Sequence, residues 1–343
     1  MKAELAKRES DARRDPGFSL RRLLQMEATG ILFALLLLCL ALAIARSNFL
    51  TAYNLTVVIR QASFIGLVAL GQTLVLLLGG IDLSVGTAAG FSAIIGALML
   101  INLGIHPWLV IPCTALFGLM IGLINGFFVA RVRLNPFIVT LAAGEVFAGL
   151  TLVITRGYPI GPLGQRFTVF GNGSVLGVPV PILFFLGGSA ILTWLLGFSR
   201  FGRNIYAIGG NREAAKLIGI PVARVEATVY GLAGMFAALA GILYASRMDS
   251  AQPAVGAGWL MGAITAAIIG GTSLSGGQGT IVGTVLGTTL MAVLSNGMSL
   301  LNVSGYWERV VIGGVVLVAV LVDVLRKLPA GTHSRSALRR LLR

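Results

Sequence analysis

Long apolar runs recur along nearly the whole chain, and nothing else limits its folding as strongly. They cover approximately residues 31–45, 56–79, 84–102, 107–130, 136–155, 180–198, 222–245, 259–275, 280–299 and 307–325. A helix that crosses a bilayer needs about 20 apolar residues. Only 11% of the 343 residues are charged, against roughly 25% in a soluble domain, so the chain cannot cover itself with a water-facing surface. Within lipid, every backbone polar group must be satisfied internally, and helices do this segment by segment. The expected fold is therefore an all-α polytopic integral membrane protein of about ten transmembrane helices. It reads as one bundle over 28–327, with polar tails over 1–27 and 328–343.

Charge orients that bundle. The net charge of +14 raises the question of nucleic acid, but its distribution answers against it. Basic residues cluster in Lys2–Arg22, between residues 198 and 222 with Arg224 beside it, and from Arg326 to Arg343, and Arg131 and Arg133 mark another inside junction. Only Arg46, Arg60, Arg156, Arg166, Arg247 and Arg309 fall outside or within spans. Lys and Arg flanking apolar spans mark the cytoplasmic side, so both termini and the 198–222 loop are expected there, with anionic lipid as a secondary contact. Ala43-Ile44-Ala45 has the look of a signal-peptide cleavage site. The acidic residues Glu4, Glu9, Asp11, Asp15 and Glu27 ahead of it favour a retained first span. The connections 156–180 and 248–258 then lie outside. Pro159, Pro162, Pro179 and Pro181 limit helix in the first of them.

The segment Phe198–Val222 is the long charged interruption between two hydrophobic halves. Within it Asn211 is placed to cap a helix with Glu213 in the first turn and Lys216 in the last; Gly219 and Pro221 end it. Two turns are unstable alone, because so few hydrogen bonds do not repay nucleation. The helix must rest either on the chain's own membrane ends or on a separate cytoplasmic subunit.

Two glycine-rich segments, Gly79-Gly80-Ile81-Asp82-Leu83-Ser84-Val85-Gly86 and Gly270-Gly271-Thr272-Ser273-Leu274-Ser275-Gly276-Gly277, share the pattern G-G-x-x-L-S-x-G where apolar runs break. Paired helix breaks point to a transport site in many carriers. Asp82 is costly in such a place unless paired, capping or facing water, so a capping role and a pathway role both stand. Glu145 is the other carboxylate expected inside a span. Arg60 and Gln61 sit near the outer end of the second span, Gln72 lies deeper, and Asn296 and Asn302 read as interhelical or turn residues.

Chemistry of its own is missing. There is no phosphate-binding loop, and the lysines are Lys2, Lys7, Lys216 and Lys327 alone. His106 and His333 have no nucleophile or acid arranged around them, and Cys39 and Cys113 lie in apolar runs without metal-ligand spacing. No catalytic residue, metal or cofactor is expected in this chain, and few intramembrane acids are available for the proton relay of a secondary carrier. If the chain moves a solute uphill, the energy is therefore expected from another subunit.

The blocks GGIDLSVG, NPFIVTL, IYAIGGNREAAKLIGI, SAQPAVGAG and GGTSLSGGQGTIVGT, taken in order, resemble the membrane permease subunits of bacterial ribose-type ABC importers for monosaccharides. The likeness runs from about Asn48 to Asp323. It implies a ten-helix permease domain in the inner membrane that dimerises around a central path, two cytoplasmic ATPase subunits and a periplasmic sugar-binding protein. By the same resemblance, Gly209–Ile220 matches the ATPase-docking segment, with Gly209, Asn211, Arg212, Glu213, Ala214, Ala215, Lys216 and Gly219 as its residues. Gln72, Asp82, Ser84, Asn135, Thr140, Glu145, Ser273 and Ser275 are the expected path residues. The chain departs from many members at Trp259, Leu260, Met261 and Gly262, where they carry an acidic pair, and at Ala148, where they carry Arg. Import of a monosaccharide or related polyol is the function implied; a permease for a branched-chain amino acid or other small solute, and a self-sufficient secondary carrier, are the rivals.

Overall fold

The computed structural model describes residues 27–326. The expected tails, except Glu27, fall outside this range, as do His333 and the terminal basic clusters apart from Arg326. The described chain is helical nearly throughout: α1 (Glu27–Ala45), α2 (Ala52–Leu77), α3 (Val85–Ile101), α4 (Pro107–Ala130), α5 (Pro136–Thr155), α6 (Gln165–Asn172), a two-stranded hairpin β1 (Ser174–Val175) and β2 (Val178–Pro179), α7 (Val180–Phe198), α8 (Arg200–Gly210), α9 (Arg212–Leu217), α10 (Val222–Met248), α11 (Trp259–Ile269), α12 (Ile281–Leu300) and α13 (Gly305–Arg326). Six of them, α2, α4, α5, α7, α10 and α12, are long and apolar enough to cross a membrane; α3 and α11 are shorter apolar helices, as is α1 from Thr29 onward.

Local chemistry sets the starts. Thr51 and Thr280 accept backbone N–H bonds at the heads of α2 and α12, and Asn135 does so for α5 with Pro136 at its first position. Helix α10 is the hub, packed against α2, α3 and α4. Its seam with α4 is built from small residues. A Cβ on Gly118 would lie 2.4 Å from the Gly234 carbonyl oxygen, and one on Gly122 would lie 2.3 Å from that of Tyr230. Lipid gives apolar surfaces no reason to leave it, so such helices associate through close backbone contact, which small residues permit. Of an apolar 18-residue stretch of α10, 67% is buried, against 22% for α5. One face of α5 is thus left open in the single chain.

Three expectations change. The Pro- and Gly-rich 156–180 connection holds α6 and the hairpin; its prolines fall outside α6. Asp249 fastens it to the 248–258 loop: its carboxylate Oδ1 accepts from the Leu163 and Gly164 N–H groups at 3.0 and 2.9 Å. The span expected over 259–275 ends as a helix at Ile269, because Gly271, at φ +86°, turns the chain out. Finally, the 198–222 segment is two helices. Ser199 caps α8, accepting from Gly202 N at 3.0 Å, and Ile205 and Ile208 bury one side of it.

Candidate functional site: the short helix and the glycine junction

Asn211 ends α8 and begins α9, its side-chain oxygen accepting from Ala214 N at 2.9 Å. Gly219, at φ +82°, closes α9 as expected, with Gly219 N–H and Ile220 N–H bonded to the Lys216 and Ala215 carbonyls. Lys216 Nζ donates to Glu213 Oε1 at 2.6 Å, and this ammonium holds the exposed Glu213 carboxyl below its ordinary range. The support given by that pair is present above the ordinary carboxylate pKa and fades as pH falls through the lowered one. Arg212 donates to Glu226 Oε2 of α10 at 2.7 Å. Glu226 is a buried carboxylate in the first turns of α10, so Glu145 is not the only other acid within a span. Ala215 turns inward, fully buried, while Leu217 is 88% and Ile218 75% exposed. Two consecutive apolar side chains thus stand exposed at the end of a helix braced by two ion pairs. Both lie within the Gly209–Ile220 segment but are not among the docking residues named from sequence, because which side of so short a helix stays exposed is set by packing.

The two glycine signatures meet in space, and α8 sits on them. Gly277 N–H donates to the Leu77 carbonyl at 2.9 Å, and Tyr206 Oη of α8 donates to the Gly279 carbonyl at 2.9 Å. A Cβ on Gly209 would lie 1.9 Å from the Leu77 oxygen and 2.5 Å from Gly277 N; one on Gly276 would lie 2.8 Å from Gly79 N. The contact is backbone on backbone, which glycine alone allows. Both breaks end their helices alike: Gly79 and Gly80 bond back to Leu76 and Val75, and Gly271 and Thr272 to Ile268 and Ala267. The turning glycines are therefore Gly79 and Gly271, one position out of register with the shared motif. Beyond them the segments diverge, since Ser84 directly precedes α3 while Ser273 and Ser275 lie in a loop that runs on to Thr280.

Gln72, Asp82, Ser84 and Thr140 come together as fasteners of the first break. Asp82 is buried, and its Oδ1 accepts from Ser84 N–H and Oγ–H at 2.8 and 2.6 Å. Oriented to match its neighbours, the Gln72 amide donates to Asp82 O and accepts from Asp82 N–H, both at 3.2 Å. Asn125, not anticipated from sequence, donates to Ser84 Oγ at 3.0 Å. Thr140 Oγ accepts from Leu83 N–H at 3.0 Å and donates to the Pro136 carbonyl at 2.8 Å. The segment is thereby pinned to α2, α4 and α5. Asn135 caps α5 at the surface, and Glu145 lies exposed on the open face of that helix. In the second break, Ser273 Oγ accepts from Ser275 N–H at 3.1 Å.

Comparison with known proteins agrees with this architecture. Residues 54–320 match the family described as "Branched-chain amino acid transport system / permease component". The ribose import permease protein of Bacillus subtilis is 44% identical over 300 residues, 87% of this chain and 93% of that protein. The L-arabinose ABC transporter permease protein of Azospirillum brasilense is 38% identical over 299 residues, covering 87% and 88%. The D-allose transport system permease protein of Escherichia coli is 38% identical over 278 residues, covering 81% and 85%. On the match across its helical bundle and its likeness to these proteins along most of their length, the chain belongs to the branched-chain amino acid/ribose family of ABC importer permeases.

Proposed function

We propose that this chain is the translocation subunit of an ATP-driven importer that carries a monosaccharide or related polyol across the bacterial inner membrane. The bundle over 28–327 is its permease domain, with about ten spans and both termini in the cytoplasm. It carries no ATPase site or cofactor of its own. A cytoplasmic ATPase supplies the energy, a periplasmic sugar-binding protein delivers the solute, and two copies of this chain enclose the path. The carrying observation is α9. This capped two-turn helix presents Leu217 and Ile218 outward, while α8, directly before it, packs on both helix breaks.

In this reading Gly209, Asn211, Arg212, Glu213, Ala214, Ala215, Lys216 and Gly219 build the handle that the ATPase grips. Closure of the ATPases displaces α8–α9, and the glycine junction passes the displacement to the ends of α2 and α11. The coupling comes from different contacts in the two states. Gln72, Asp82, Ser84 and Thr140 hold the first break as one piece, Asn135 sets the start of α5, and Ser273 and Ser275 shape the second break. A bare carboxylate on a lipid-facing helix is costly, so Glu145 faces the second copy or the water between the two copies. Reconstitution tests this: sugar uptake must require ATP, the ATPase and the binding protein together. Uptake by the chain alone on an ion gradient would show a secondary carrier instead.

A further inference from the structure

At the end of the bundle opposite α8–α9, a half-open cleft of about 300 Å³ lies between α2, α10 and α11, lined by Gln61, Phe64, Ile65, Tyr244, Arg247, Met248 and Trp259. Three aromatic rings line it in sequence: Phe64 and Tyr244 meet edge to face at 5.3 Å between centroids, and Tyr244 and Trp259 at 5.4 Å. The Arg247 guanidinium stands 5.8 Å from the Phe64 ring centre. Among the described residues it has no carboxylate partner and no side-chain hydrogen bond; Tyr244 Oη and the Trp259 indole N–H are likewise unbonded. Gln61 spends one N–H on Ser295 Oγ at 3.3 Å, leaving its carbonyl oxygen unengaged.

We propose that this cleft is a transit subsite for one neutral monosaccharide, between release from the binding protein and entry to the path. The inference rests on the sugar-importer reading above. A sugar ring has apolar C–H faces that pack on aromatic rings and a girdle of hydroxyls that both donate and accept. The cleft supplies both: aromatic walls, donors from Arg247, Trp259 and Tyr244, and an acceptor from Gln61. Its volume stands at the small end for ligand sites and suits one sugar unit, not a chain of them. No carboxylate lines the cleft, so cations are disfavoured. Arg247 is anchored from behind: its carbonyl accepts from Asn172 Nδ2 at 2.9 Å, and Asn172 O accepts from Arg60 at 2.9 Å. A site on a path must also release its solute, so binding is weak, in the millimolar range.

The test is saturation-transfer NMR on the full chain in lipid nanodiscs, without ATPase or binding protein, titrated with a panel of pentoses and hexoses. At least one sugar of the panel is expected to bind saturably. Trp259→Ala and Arg247→Gln should each weaken it about ten-fold, with Trp259→Phe within about three-fold of the parent and all variants matched for thermal unfolding. Equal binding by parent, Trp259→Ala and Arg247→Gln places the sugar elsewhere and overturns the proposal. In a second titration, of the periplasmic binding protein onto the same nanodiscs, Arg247→Gln loosening that protein while sugar binding is unchanged also overturns it, because Arg247 then serves a protein contact. If no sugar binds while the reconstituted importer transports one, the cleft is refuted and the sugar-importer reading survives. If the importer transports no sugar, that reading itself has failed.

Discussion

Replacing Leu217 and Ile218 together by Ala tests the handle most directly. Each change removes three carbons from a side chain that the bundle leaves 88% or 75% exposed, so the isolated chain loses almost no packing. At about 0.8 kcal/mol per buried methylene, full cover of both by a partner contributes about 4 kcal/mol, and half cover about 2. The ATPase should therefore bind the variant about 30-fold to 1,000-fold more weakly. The assay is titration of the purified ATPase onto the permease in nanodiscs, with thermal unfolding of the permease as the control. The Glu213 carboxyl, held below its ordinary range by Lys216, stays ionised from about pH 6 to 8, and the loss should be the same across that window. Affinity within about three-fold of the parent, with the chain folded, would refute α9 as the docking element.

Two further expectations concern the breaks. Thr140→Val leaves the Leu83 N–H without its partner and should cost about 1–3 kcal/mol in unfolding free energy, largely restored by Thr140→Ser. Equal stability of the Val and Ser variants would remove Thr140 as a fastener. Gly209→Ala drives a Cβ to 1.9 Å from a backbone oxygen that no rotamer change can move aside, whereas Gly210→Ala meets nothing within 4 Å. The first should lower the unfolding temperature and uncouple ATP hydrolysis from uptake, and the second should be near neutral; similar behaviour of the pair would contradict the junction.

Much of this protein was legible in the order of its residues. Apolar runs mark out the helices because a bilayer sets both their length and their composition. Asn211, Glu213, Lys216 and Gly219 foretold α9 because caps, pairs and left-handed turns act within a few residues of sequence. The glycine signatures rightly marked helix breaks for the same reason. What sequence order could not hold was which distant groups meet. Only the tertiary structure brought Gly209 against Leu77 and Gly277, Arg212 to Glu226, Asn125 to Ser84, and Phe64, Tyr244, Arg247 and Trp259 around one cleft. It also turned Leu217 and Ile218 outward, against the hydropathy of their own side chains. Capping and hydropathy are local properties of a chain. Closeness and exposure are decided only when helices from separate parts of it pack.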